Sequence, residues 1–198
     1  YLGGKKVKEA INIARHRIAN AINADDDEIY FTSGGTESDN LAIKGIAYAN
    51  RRYGNHIITT KIEHPAVLNT CKYLESIGYR ITYLNVMRNG IIDINHLRNS
   101  IRRDTILISI MTANNEIGSI QPLKEIGEIA KRNNIYFHTD TVQAIGNMKI
   151  NEVNTNIVQA ILTKSLQDHK GRSNTPKRIK FLLNQFYEHL IEQGLAYD

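Results

Sequence analysis

The chain has 198 residues, a formal net charge of +5 and a single cysteine, Cys71. That length builds one sizeable core or one domain with an appendage, and one cysteine excludes both an internal disulfide framework and a cysteine-rich zinc site. No apolar run approaches a membrane span and no charged-then-apolar leader opens the chain, so a soluble, cytoplasmic protein with no membrane association and no metal is expected.

In chain order, apolar Val7, Ala10, Ile11, Ala14, Ile18, Ala21 and Ile22 recur at helical spacing and predict a helix over 5–22 with that stripe facing the core. Asp25, Asp26 and Asp27 break it before a strand over 28–31. A helix is predicted from about Thr36 through 52, then a strand over 56–60, a helix over 65–77 ended by Gly78, and a strand over 79–86. Asn89-Gly90 reads as a turn, followed by a short helix over 94–102 and a strand over 105–111. A helix over 122–132, with proline in its first turn, feeds a strand over 135–138. Strands alternating with amphipathic helices define an α/β fold, a mostly parallel sheet with helices on both faces.

Residues 31–40, Phe-Thr-Ser-Gly-Gly-Thr-Glu-Ser-Asp-Asn, organise the chemistry. A strand runs into a Gly-Gly turn and a helix opens at Thr36, where Thr36-x-x-Asp39 resembles a capping box. Free backbone N–H groups and the positive helix end suit an anion, most often a phosphate. A plain strand-to-helix turn is the other reading. Ligands of parallel sheets bind outside the carboxyl ends of the strands. Ser33 to Thr36, then Glu63-His64, then Asn114-Asn115-Glu116, then Asp140 with Gln143 each follow a predicted strand, so all fall on one rim, with Asp140 expected to face solvent. Each has a plainer alternative: His64 can cap the helix that starts at Pro65, Asn114-Asn115 can form an ordinary turn, and Asp140 and Gln143 can satisfy a helix start. Together they offer a phosphate cradle, an imidazole, an amide and a carboxylate, the set a phosphorylated heteroaromatic cofactor such as pyridoxal phosphate uses.

On these motifs the sequence resembles the cysteine desulfurases of the iron–sulfur-cluster type, members of the class V aminotransferase group. The resemblance covers about residues 1–151 and rests on Thr32-Ser33-Gly34-Gly35-Thr36-Glu37-Ser38, Glu63-His64, Arg88-Asn89-Gly90-Ile91-Ile92-Asp93, Asn114-Asn115-Glu116-Ile117-Gly118 and His138-Thr139-Asp140-Thr141-Val142-Gln143. It implies the large domain of a fold-type I pyridoxal-phosphate-dependent transferase. It further implies that Gly35 and Thr36 bind the cofactor phosphate, that His64 stacks on the pyridine ring and helps move protons, and that Asn115 lies beside cofactor and substrate. Asp140 would pair with the pyridine nitrogen and Gln143 with the phenolic oxygen. The family's reaction takes sulfur from L-cysteine, giving alanine and an enzyme persulfide for iron–sulfur cluster assembly, with a scaffold or carrier protein as acceptor and a homodimer as the working form.

Three departures limit that implication. The family's early Asp-Asn-Asn-Ala-Thr-like motif has no counterpart here, nor do its small C-terminal domain, substrate-carboxylate arginine and cysteine-bearing loop. Its Schiff-base lysine follows Ser-x-His; here His169-Lys170 stands late and lacks the serine, so Lys170 is either that lysine or a solvated one. Cys71 shares a helix with Val67, Leu68 and Leu74 at core spacing and reads as a buried thiol. A truncated large-domain piece, poorly active or inactive alone, is expected. Another class V enzyme, a selenocysteine lyase or an aminotransferase, is the enzymatic alternative, and a non-catalytic interaction module the other. Residues 152–198 form a divergent segment, in which 164–180 holds six basic residues against Asp168. Ser173-Asn174-Thr175-Pro176 then predicts a helix carrying Phe181, Leu182, Phe186, Tyr187, Leu190 and Ile191. No aromatic interleaving or motif suggests nucleic acid.

Overall fold

The computed structural model describes residues 2–144 and Lys180–Phe181. Lys170 and the remainder of the predicted C-terminal helix lie outside the described residues. Helix α1 (Leu2–Ala21) leads through a 3-10 turn (Asp26–Glu28) to β1 (Ile29–Tyr30). Then follow α2 (Gly35–Ala49), β2 (His56–Thr60), α3 (Pro65–Ser76), β3 (Arg80–Leu84), α4 (Ile94–Ser100), β4 (Thr105–Ser109), α5 (Leu123–Arg132), β5 (Tyr136–His138) and β6 (Lys180–Phe181).

Strands β2 to β5 form a four-stranded parallel sheet in the order β3-β2-β4-β5. Alternation along β2 explains its two covered faces. Ile57 packs with Leu107 against Ile43, Ile46 and Ala47 of α2 and Val67, Cys71 and Leu74 of α3. Its neighbour Ile58 turns the other way, into a cluster with Ile108, Leu97 of α4, and Ile126, Ile129 and Ala130 of α5. Every residue of β2 and β4 is buried, as a parallel strand covered on both sides requires. Each fully buried isoleucine or leucine contributes about 1.5–3 kcal/mol, so Ile58→Ala would remove a large part of the sheet's margin.

Chain order runs outward from β2 in both directions, first to β3 and then through β4 to β5, so the direction reverses between β2 and β4. That reversal opens the crevice in which parallel sheets place ligands. Gly78 ends α3 at φ 91, a left-handed conformation that glycine adopts without cost.

Three expectations change. In α1, Ala14 and Ile18 are buried, with Ala19, against Ile29 of β1. Val7 and Ile11 of the same stripe are 60% and 43% exposed, because among the described residues only the second half of α1 packs on the 3-10 turn and β1. β1 stands outside the main sheet and pairs in parallel with β6, Ile29 opposite Lys180 and Tyr30 opposite Phe181. Lys180 and Phe181 are therefore extended where a helix was expected: the strand pairing satisfies backbone groups of β1 that would otherwise form an open edge.

Candidate functional site

A cleft of about 390 Å³ opens at the carboxyl ends of the strands. The structure brings Gly35, Thr36, His64, Asn115, Asp140 and Gln143 into its lining, from four separate rim segments. Among the predicted site residues only Lys170 is not placed, since it lies outside the described residues.

The α2 end is an uncapped helix N-terminus. Gly34 is the N-cap and offers no side chain, and the first backbone bond of the helix is Ser38 N–H to the Gly34 carbonyl at 3.1 Å. The N–H groups of Gly35, Thr36 and Glu37 precede it, so the first turn directs unpaired donors and the positive end of the helix dipole at the cleft. The expected capping box at Thr36 and Asp39 does not form. Glu37 instead reaches back to Ser33, accepting from its N–H and its hydroxyl at 2.7 Å each. Those two donors, the hydroxyl first, hold the Glu37 carboxyl below its ordinary range. A 2.6 Å bond between the Thr32 and Ser38 hydroxyls fixes the turn from its other side.

His64 has the structural role weighed above and also lines the cleft. Its Nδ1 accepts the Ala66 N–H at 3.1 Å and caps α3, so in the neutral imidazole the proton sits on Nε2. Asn114 makes the turn: its Oδ1 accepts from the N–H groups of Glu116 and Ile117, and its Nδ2 donates to the Ile62 carbonyl. Asn115 is left on the cleft side. Asp140 is 9% exposed, not solvent-facing as expected, because the rim folds over it. Its Oδ1 accepts the Val142 N–H at 2.9 Å. Burial pushes its carboxyl above the ordinary range, the charge of Asp39 adds to that, and the Val142 bond with His138 and His64 opposes it.

Two residues that the sequence placed only in the Glu63-His64 rim pair and in the Thr36-x-x-Asp39 cap stand at the site or beside it. Glu63, 4% exposed, bridges the β2 and β4 ends: its carboxylate accepts the Thr60 hydroxyl at 2.6 Å and the Met111 N–H at 3.1 Å. Burial pushes this carboxyl up to about 7. Asp39, 3% exposed, lines the cleft and lies 3.4 Å from Nε2 of His138. Its place four residues after Gly35 on one helix face was the signal that could have found it. Cys71 sits in the α2–α3 core, and burial pushes its thiol up to about 12.

The rim is braced from below. Gln121 accepts the Ile92 N–H at 3.0 Å and donates to the Gly90 carbonyl at 2.8 Å, while its own N–H bonds Thr112. The Arg88–Asp93 turn is thereby tied to the loop that carries Asn115. Gly90 has φ 75, and a Cβ there would collide with Ile117 and Ser119 of that loop.

The chain belongs to the class-V aminotransferase family, whose model matches residues 2–161. That family is one of pyridoxal-phosphate-dependent enzymes. Within it, the chain is 64% identical over 154 residues to the cysteine desulfurase IscS of Methanosarcina thermophila, covering 78% of this chain and 38% of that protein. It is 56% identical over 157 residues to the IscS of Clostridium botulinum, covering 79% and 40%. The solved structure of SspA in complex with cysteine superposes with a TM-score of 0.74 at 43% identity, covering 79% of this chain and 45% of that one. DndA from Streptomyces lividans gives 0.74 at 36% identity, covering 78% and 43%. The chain thus spans 38–40% of the length of these curated relatives. Among the described residues no helix is long and apolar enough to cross a membrane.

Proposed function

We propose that this chain is the cofactor-holding part of a pyridoxal-phosphate-dependent cysteine desulfurase. The observation that carries the reading is one cleft that joins an uncapped helix N-terminus to a buried carboxylate. The donor set fits the group. The N–H groups of Gly35 and Thr36 would hold its phosphate. Asp140, with one oxygen committed to Val142 and the other unpaired by any protein donor in the described bonds, would take the pyridine nitrogen. Gln143 would meet the phenolic oxygen, and the His64 imidazole would lie against the ring with its Nε2 proton available for transfer. Asn115 would orient cofactor and substrate. When bound, pyridoxal phosphate supplies an electron sink that allows a bond next to an amino group to break.

The described residues accordingly bind, orient and move protons. The substrate we assign is L-cysteine, with sulfur passed to an acceptor or scaffold protein for iron–sulfur cluster assembly and with a homodimer as the working form. The cysteine desulfurases at 64% and 56% identity support that assignment over other class V reactions. The family's nucleophilic groups are a lysine and a cysteine. The cleft lining among the described residues contains neither, so full turnover is assigned to the chain together with groups outside that lining, Lys170 being the one lysine proposed.

Titration with pyridoxal phosphate, followed by equilibrium dialysis and visible absorbance, tests the reading. Saturable uptake is expected, with a loss of about a hundredfold in Asp140→Asn, the size of a charge-assisted hydrogen bond. Asparagine retains an acceptor for the Val142 N–H, so the circular dichroism spectrum should be unchanged. Absence of saturable uptake by the unaltered chain would refute the proposal.

A further inference from the structure

Asp39 is a buried carboxylate to which the proposed function gives no task. It lies three residues past Thr36 and four past Gly35, on the helix face that opens to the cleft. A carboxylate that is 3% exposed needs a partner. His138 Nε2 stands 3.4 Å from its Oδ1, and His138 Nδ1 lies 2.9 Å from the Ser109 hydroxyl. An ionised carboxylate only accepts, so the proton belongs on Nε2 and Nδ1 accepts from Ser109. One tautomer satisfies both contacts. A chain of three side chains therefore runs from the end of β4 through the end of β5 to α2.

The backbone carries this chain to Asp140. Ile110 N–H bonds the His138 carbonyl and Thr112 N–H bonds the Asp140 carbonyl, so parallel pairing continues past β5. Two residues apart in an extended segment, His138 and Asp140 project their side chains from the same face. The titratable groups around Asp140 are Asp39 on α2, His138 on β5, and Glu63 and His64 at the start of α3. Among them Asp39 is the second carboxylate that lines the cleft.

We propose that Asp39 is a positioning residue for the pyridinium end of the cofactor: anchored by His138, it sets a second negative charge beside Asp140, and the two carboxylates together hold a protonated ring nitrogen. This inference rests on the pyridoxal-phosphate reading above. Removing the charge with Asp39→Asn has two effects of opposite sign. With one of two charges gone, affinity for pyridoxal phosphate near pH 8 falls by about tenfold, the equivalent of one pKa unit. Relieved of its neighbour's repulsion, Asp140 stays ionised to lower pH, so the acid limb of cofactor binding moves down by about half a pH unit. A merely structural role would weaken binding at every pH and leave that limb in place.

The experiment is equilibrium dialysis of pyridoxal phosphate against the full chain from about pH 5 to about pH 8.5, in the unaltered protein, Asp39→Asn and Asp39→Glu. The glutamate variant keeps the charge and should restore the acid limb. His138→Ala frees Asp39 from its anchor while keeping its charge and removes a group that holds the Asp140 carboxyl down, so it should weaken binding and move the acid limb up, opposite to Asp39→Asn; it serves if the asparagine variant does not fold. Carbon-13 carboxyl resonances of Asp140, titrated in the protein without added cofactor, give a separate readout: its midpoint should fall in Asp39→Asn. Equal affinities, a uniform loss with an unmoved limb, or an unmoved Asp140 midpoint would each overturn the proposal while leaving the proposed function standing. Failure of the unaltered chain to take up pyridoxal phosphate would remove both.

Discussion

Glu63→Gln isolates the cost of ionising a carboxyl that the fold has buried at the β2–β4 crevice. The Glu63 side chain is 4% exposed, and burial raises it from an ordinary 4.5 to about 7. In the unfolded chain it titrates near the ordinary value. Between those two values the native state binds a proton that the unfolded state has lost, so stability falls as pH rises through that window. The stabilisation is fully present below about 4.5 and lost above about 7. A gap of about two and a half pKa units at about 1.4 kcal/mol each amounts to about 3 kcal/mol. Glutamine is neutral throughout. Below the window both proteins are neutral here, and the variant loses only the mismatch of an amide N–H facing Met111 N–H, about 1 kcal/mol. Above it, the unaltered protein has given up about 3 kcal/mol while the variant still carries only the amide mismatch, so the variant is the more stable by about 2 kcal/mol, or about 4–8 °C in Tm. Urea denaturation of both proteins at steps across the window measures the difference directly, and titrations common to both cancel. A stability difference that does not change with pH would refute the reasoning.

Two further outcomes follow from the packing around the cleft. Gly90→Ala should destabilise the protein by at least about 2 kcal/mol, because it combines a left-handed backbone with a collision against the Asn115 loop; an unchanged urea midpoint would contradict the contact. Cys71, with its thiol pushed up to about 12 and no exposed surface, should resist a thiol reagent near pH 8 in the native protein and react at once in denaturant. Rapid labelling of the native state would show that the α2–α3 core opens more readily than its packing implies.

Local pattern carried most of the fold. The strands β2 to β5 and the helices between them alternate in the sequence, and period-two and 3.6-residue spacings survive in a sheet covered on both faces. The rim residues were legible for the same reason: each follows a strand, and parallel topology turns four separate positions into one cleft. What escaped depended on partners far along the chain. Asp39 looked like a capping residue because its partner, His138, belongs to the last strand of the sheet. One miss was local: Glu37 bonds Ser33 in place of the predicted box, and helix α2 begins one residue earlier than its sequence suggests. Asp140 was read as exposed because its seat on a loop says nothing about the walls that close over it. The exposed half of the α1 stripe shows the converse: periodicity marks an apolar face but does not supply the surface that covers it.

The brace at Gln121 bears on how such a protein can be altered. Its side chain belongs to one segment and both its bonds to another, and Gly90 is kept bare by the very loop it supports. The Arg88–Asp93 turn and the Asn114–Gly118 loop therefore form a single exchangeable unit. Grafting one without the other from a relative would strand buried polar groups, whereas moving both together with Gln121 would carry the seat of Asn115 intact. Substitutions that retune the cleft from this side should be sought as matched pairs.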